Sequence, residues 1–249
     1  MVKIDDNFYM QLALDEAWKY QGLTYPNPAV GCTVVGKYGE LLSVDAHKKA
    51  GSPHAEVNAL KLAYYKLTDD AKILDLEVSI DIHNYLIKNS NNIFENATLF
   101  TTLEPCTSVG KTPACADLID KLNIKKVYIG SLDKYQPTKK YDAKSIILEK
   151  KCNALLEPFN LWQKDKFVFF KWAQRLDAST DGSVSSNESR KNVHAMRNVC
   201  DLLVIGGNTL RIDRPTLDAR LVNGNAPDIL IYSREKEGKK NHDNQIRLH

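Results

Sequence analysis

The stretch TLEPCTSVGKTPAC, residues 102–115, decides how this chain is read. It follows a β-rich run, ATLFTTLEP, and leads into an apolar segment with helical spacing. Its two cysteines, Cys106 and Cys115, have eight residues between them. A disulfide, a metal site and core packing all account for paired cysteines, so the remainder of the sequence has to choose. Five cysteines is an odd number. The N-terminus carries acidic residues at once and no apolar run of signal-peptide length, which places the chain in the cytoplasm, where thiols stay reduced. Metal binding or burial remains.

Working outward, PHAEV at residues 53–57 supplies the partner set. His54 stands at the start of an expected helix, with Ser52 as its cap, and Glu56 lies two positions on. His-x-Glu followed downstream by Pro-Cys and a second cysteine is the pattern of zinc deaminases. One imidazole and two thiolates hold the ion and leave a fourth position for water. Glu56 stays off the metal, to take a proton from that water and pass it to the leaving amine. Cys106 and Cys115 beside a helix N-terminus favour thiolate, because free amides and the helix dipole stabilise negative charge. Zn²⁺ is therefore the expected ion, with His54, Cys106 and Cys115 as ligands and Glu56 as the catalytic acid/base. Cys32, Cys152 and Cys200 are read as small buried hydrophobes.

The 249 residues suffice for one large domain or two modest ones. The composition is 43% hydrophobic and 26% charged, ordinary for a globular protein. A net charge of +3 with no clustered basic patch argues against a nucleic-acid partner, and no apolar run of about 18 residues spans a membrane. Helices are expected at residues 6–20, 52–67 and 112–124, with strands at 31–36, 40–44, 97–105 and 125–132. This β–α–β–α–β order argues a layered α/β domain over residues 1–150. Residues 66–96 are polar and mixed in pattern and are read as a surface insertion. A second segment, residues 160–234, is expected to hold strands at 166–174, 201–210 and 228–233 and a helix at 187–200. The final fifteen residues have two aliphatic side chains and are expected to be disordered.

The resemblance is now specific. PNPAVG (26–31), HKKAGSPHAE (47–56) and the opening stretch resemble the deaminase half of the bifunctional riboflavin biosynthesis deaminase/reductase family, whose two cysteines are also separated by a Gly-Lys-Thr-Pro loop. KWAQRLD (171–177) and HAMRNVCDLLVIGGNTLRIDRPTLDAR (194–220) resemble its reductase half. The match covers most of residues 7–65 and 97–234. It implies a three-layer cytidine-deaminase-like N-terminal domain and a partial dihydrofolate-reductase-like α/β C-terminal domain. It also implies hydrolytic deamination of 2,5-diamino-6-(5-phosphoribosylamino)pyrimidin-4-one, a phosphorylated pyrimidine. By the same resemblance Asn27, His47, Lys111 and Asp133 hold that substrate, the lysine on its phosphate. In the second half the family reduces the ribosyl group with NADPH. There Ala173, Thr209 and Asp213 match cofactor contacts, and Arg197, Leu217 and Arg220 match substrate contacts.

Several positions depart from the family pattern. Ser108 replaces its usual histidine and Ala114 its usual proline, and DKYQP (133–137) keeps the aspartate without the asparagine. The family's reductase continues well past residue 234. The chain is accordingly read as truncated, with an incomplete, inactive reductase whose open strand edges favour association into a homo-oligomer. Two rivals stand beside this: another nucleoside or tRNA-base zinc deaminase, and a non-catalytic nucleotide-binding or assembly subunit.

Overall fold

The computed structural model describes residues 4–110, 112–124, 126–135, 145–180 and 182–233. It divides into two compact units, Met1–Phe167 and Val168–His249.

The first unit is built on a sheet with an apolar layer on each face. Its strands are β1 (Gly31–Val35), β2 (Leu41–Ala46), β3 (Thr98–Thr101) and β4 (Lys126–Ile129), in the spatial order β2-β1-β3-β4. β1 pairs antiparallel with both β2 and β3, and β3 pairs parallel with β4. Successive strand residues point to opposite faces. Cys32, Val34, Leu99, Val127 and Ile129 enter one apolar layer, while Val35, Phe100 and Tyr128 enter the other. The first layer is closed by α2 (Ala55–Thr68), α3 (Ser79–Asn89) and α4 (Cys115–Lys121). The second is closed by α1 (Asp6–Trp18) and α5 (Glu149–Lys164). The result is the expected three-layer α/β arrangement, and both motif helices, α2 and α4, lie in one layer.

Close backbone approach fixes how tightly the layers meet. A Cβ on Gly130, just past β4, would collide with the Cys152 side chain of α5, so only glycine lets that helix seat. Asn58, in the second turn of α2, donates to the Ala46 carbonyl at 2.9 Å and the Pro53 carbonyl at 3.2 Å. These bonds hold the start of α2 against the end of β2.

Residues 66–96 do not form a surface insertion. A short 3-10 helix (Ala71–Asp75) and α3 place Ile73, Ile82, Leu86 and, beyond them, Phe94 in the core with no exposed surface to speak of. Asp70 ties the segment down, accepting from Tyr85 at 2.5 Å and Tyr64 at 3.2 Å. Asparagines on its outer side had masked a helical apolar face. Replacing Leu86 by alanine should therefore cost about 2–5 kcal/mol in a denaturant titration. A segment lying on the surface would lose no more than about 0.5 kcal/mol.

The second unit contains α6 (Asn187–Val199), β5 (Leu202–Gly206), α7 (Gly207–Asp213), a 3-10 turn (Arg220–Val222) and β6 (Asp228–Tyr232). β5 and β6 pair in parallel. Residues 166–174 are not a strand, contrary to expectation. Val168, Phe170 and Trp172 do alternate, but they stand 79%, 82% and 62% exposed. Strand geometry needs a sheet to take its N–H and C=O groups, and this run is a member of neither sheet among the described residues. Gly206 ends β5, and the next glycine, Gly207, opens α7 instead of continuing the strand. Residues 234–249, including the expected tail, lie outside the described residues.

No helix among the described residues is long and apolar enough to cross a membrane.

Candidate metal centre

Three ligand-type atoms converge where α2 and α4 begin. His54 precedes α2 in extended backbone and Cys115 is the first residue of α4. His54 Nδ1 lies 3.6 Å from Cys106 Sγ and 3.4 Å from Cys115 Sγ, and all three ligand atoms fall within 4.8 Å of one another. A tetrahedral Zn²⁺ with Zn–S of about 2.3 Å and Zn–N of about 2.0–2.1 Å requires an S···N separation of about 3.5 Å. The donor set and its spacing fit that ion. Among the described residues no other cluster of this kind occurs.

Surrounding groups orient these atoms. The other imidazole nitrogen, His54 Nε2, is 3.3 Å from Thr112 Oγ1. With Nδ1 given to a metal ion, Nε2 would carry the proton and donate to the hydroxyl, which would fix ring and tautomer. Thr112 was not singled out in the sequence, although it stands inside the opening stretch. The Cys115 amide donates to Cys106 Sγ at 3.3 Å, as expected of a free amide at a helix start.

The electrostatics agree with a thiolate site. A hydrogen bond from the Cys115 thiol, then one from His54, brings Cys106 down to about 4. The same bond to Cys106, reinforced by burial, raises Cys115 well above the ordinary thiol range. Cys106 is thus the sulfur favoured as thiolate, and a ligating Cys115 has to release its proton when metal binds. Burial alone would lower His54, but its hydrogen bond to Cys106 and the nearby Glu56 charge lift it above its usual value.

Glu56 lies in the first turn of α2, only 4% exposed. Burial raises its carboxyl to about 7, against the opposing pull of the His54 charge. A carboxyl balanced near neutrality can both accept and return a proton.

His47 and Asn27 are linked beside His54. His47 Nδ1 lies 3.1 Å from the Pro53 carbonyl, which can only accept, so the proton resides on Nδ1. Nε2 then accepts from Asn27 Nδ2 at 3.0 Å. Burial lowers His47, keeping it neutral in this role. Its ring meets the His54 ring edge-on, with centroids 5.5 Å apart. On the Cys106 side, the Asp133 amide donates to Oε2 of Glu104, two residues before Cys106, at 3.1 Å, while the Glu104 amide donates to the Ser131 carbonyl. Sequence reasoning passed over Glu104, whose only signal was its place in Glu-Pro-Cys. Lys111 lies outside the described residues.

In the second unit, Arg197 on α6 donates to the Asp218 carbonyl at 3.2 Å, and Arg220 forms a forked ion pair with the Asp218 carboxylate at 2.8 and 2.9 Å. The two arginines therefore gather at Asp218, with Leu217 beside it in sequence. Thr209 and Asp213 lie one turn apart on α7, both exposed, and Ala173 is half-buried within residues 166–174.

A family model of the cytidine and deoxycytidylate deaminase zinc-binding region matches residues 3–131. A riboflavin biosynthesis protein RibD from Aquifex aeolicus is 35% identical over 243 residues, covering 89% of this chain and 60% of that protein. One from Synechocystis is 31% identical over 252 residues, covering 93% and 60%. Among solved structures, a diaminohydroxyphosphoribosylaminopyrimidine deaminase/5-amino-6-(5-phosphoribosylamino)uracil reductase from Thermotoga maritima aligns with a TM-score of 0.61 at 31% identity. That alignment covers 97% of this chain and 68% of that one. Acinetobacter baumannii RibD aligns with a TM-score of 0.57 at 25% identity. The chain spans 60% of the length of the curated relatives named here.

Proposed function

The chain belongs to the cytidine and deoxycytidylate deaminase zinc-binding family and, within it, to the riboflavin biosynthesis deaminases; on that premise we propose that its first unit hydrolyses the 2-amino group of 2,5-diamino-6-(5-phosphoribosylamino)pyrimidin-4-one, releasing ammonia. The observation that carries this is the convergence of His54 Nδ1, Cys106 Sγ and Cys115 Sγ beside a buried Glu56.

His54, Cys106 and Cys115 would hold Zn²⁺, which supplies Lewis acidity that lets water ionise near pH 7. Glu56 takes the proton of the attacking water. It returns protons to the departing nitrogen as the C–N bond breaks, so water and the amine exchange for a ring carbonyl and ammonia. Asn27 orients the pyrimidine edge: His47 uses one of its amide hydrogens, leaving its carbonyl oxygen and second hydrogen for the ring. Asp133 serves the opposite side, and Lys111 takes the phosphate. In the second unit Arg197, Leu217 and Arg220 are assigned to a ribose phosphate, for which paired guanidinium forks are suited. Ala173, Thr209 and Asp213 are assigned to NADPH, the reductant of the family's second reaction.

The test is one cuvette with the zinc-loaded chain, the pyrimidine substrate and NADPH. Ammonia should appear at a rate that does not depend on NADPH, because every group assigned to the deamination lies in the first unit. A zinc-loaded chain that releases no ammonia overturns the assignment. NADPH absorbance, followed alongside, reports on the second unit alone.

A further inference from the structure

We propose that α5 is a positioning element of the deaminase site, in which Trp162 and Phe159 hold the two substrate-facing loops at a fixed separation. The inference rests on the substrate roles assigned above to Asn27 and Asp133. α5 lies outside residues 3–131, where the family model matches.

The two loops have little regular structure of their own. Asn27 lies between α1 and β1, held locally by its backbone N–H, which donates to the Thr24 carbonyl, and by the Thr24 hydroxyl, which donates to the Asn27 carbonyl. Asp133 lies past β4, held through Glu104. α5 reaches both. At one end of the contact, Gln21 donates to the Leu155 carbonyl, and Tyr25 meets Trp162 edge-on with centroids 5.0 Å apart. At the other, Ser131 donates to Asn153 at 2.8 Å, and Tyr135 meets Phe159 edge-on at 5.6 Å. Phe159 and Trp162 are three residues apart on one helix face, with their rings 6.2 Å apart, so the ladder Tyr25–Trp162–Phe159–Tyr135 is continuous.

The ladder is not part of the sheet core. Cys152, Leu155 and Leu156 bury α5 through a different set of side chains, leaving Phe159 and Trp162 half-buried and Tyr135 exposed. Edge-to-face rings restrict orientation at small entropic cost, because each aromatic side chain has only two rotatable bonds. Loops ordered before substrate arrives spare it the cost of ordering them. Trp162 and Phe159 touch neither substrate nor metal in this scheme; they act through Asn27 and Asp133.

The test compares Trp162→Ala, Phe159→Ala and Trp162→Phe in the full zinc-loaded chain. Both alanine variants should keep bound zinc and raise KM about tenfold with kcat held within about threefold, because the loops bind ground and transition states alike. Trp162→Phe should restore KM to within about twofold. Hydrogen exchange should quicken in residues 22–30 and 131–135 of the alanine variants and stay unchanged in β1 and α2. Unchanged KM together with unchanged loop exchange overturns the proposal. Zinc, kcat and protection throughout the first unit falling together also overturns it, since that pattern marks plain packing. Should Trp162→Ala fail to fold, Phe159→Ala carries the comparison. If the unmodified chain releases no ammonia, the deaminase assignment falls, and the exchange measurement alone decides whether α5 orders the loops.

Discussion

Glu56→Gln should leave the chain folded and zinc-loaded while slowing ammonia release by about 10²–10⁴-fold, the usual worth of a positioned general acid/base. The amide matches the carboxyl in shape and can still hydrogen-bond at the Cys115 side. It cannot take a proton from water or return one to nitrogen. The variant separates two roles. A carboxylate that ligated the metal would take zinc with it when replaced, so metal content falls. A carboxylate that moves protons leaves metal content at one per chain and removes turnover. Full activity in Glu56→Gln, or loss of zinc from it, would contradict the assignment.

Cys115→Ala should abolish stoichiometric zinc binding and remove the stabilisation that the ion confers. A ligand at a thousand times its dissociation constant stabilises the folded chain by about 4 kcal/mol, so the loss is visible in thermal unfolding. The variant should melt like the unmodified protein after chelation, and chelator should no longer shift it. Cys152→Ala is the control. Cys152 is as fully buried as Cys115, but it packs between α5 and the opposite sheet face, and burial pushes its thiol up to about 12. Both variants create a small cavity; only one removes a ligand. Equal effects of the two on zinc and on the chelator shift would mean that Cys115 is core packing and nothing more.

How much was legible in the sequence varies from element to element. α1, α2, α6 and the six strands among the described residues were signalled by local period and by the residues at their ends. α5 was not. It carries Pro158 in its interior, which removes one helical N–H and crowds the turn before it. Most of its surface is charged or amide-bearing, and only Cys152, Leu155 and Leu156 mark the buried stripe. The run 166–174 misled in the opposite sense: its composition is that of a strand, but propensity does not supply a partner strand.

The sequence by itself determined the chemistry of the centre. His-x-Glu at a helix start and two cysteines around a Gly-Lys-Thr-Pro loop specify donor types, and donor types select the metal and the reaction class. Only the tertiary structure decided which atoms meet. It turned Nδ1 of His54, and not Nε2, toward the sulfurs, because Thr112 occupies the other side. It fixed the His47 tautomer through the Pro53 carbonyl and gave Asn27 its partner. It drew Ile82 and Leu86 into the core and set α5 across both loops. The division has a physical cause. Ligand identity and backbone period are local properties, written within a few residues. A hydrogen-bond partner or a packed face belongs to residues far apart in the chain, and exists only after the sheet has brought them together.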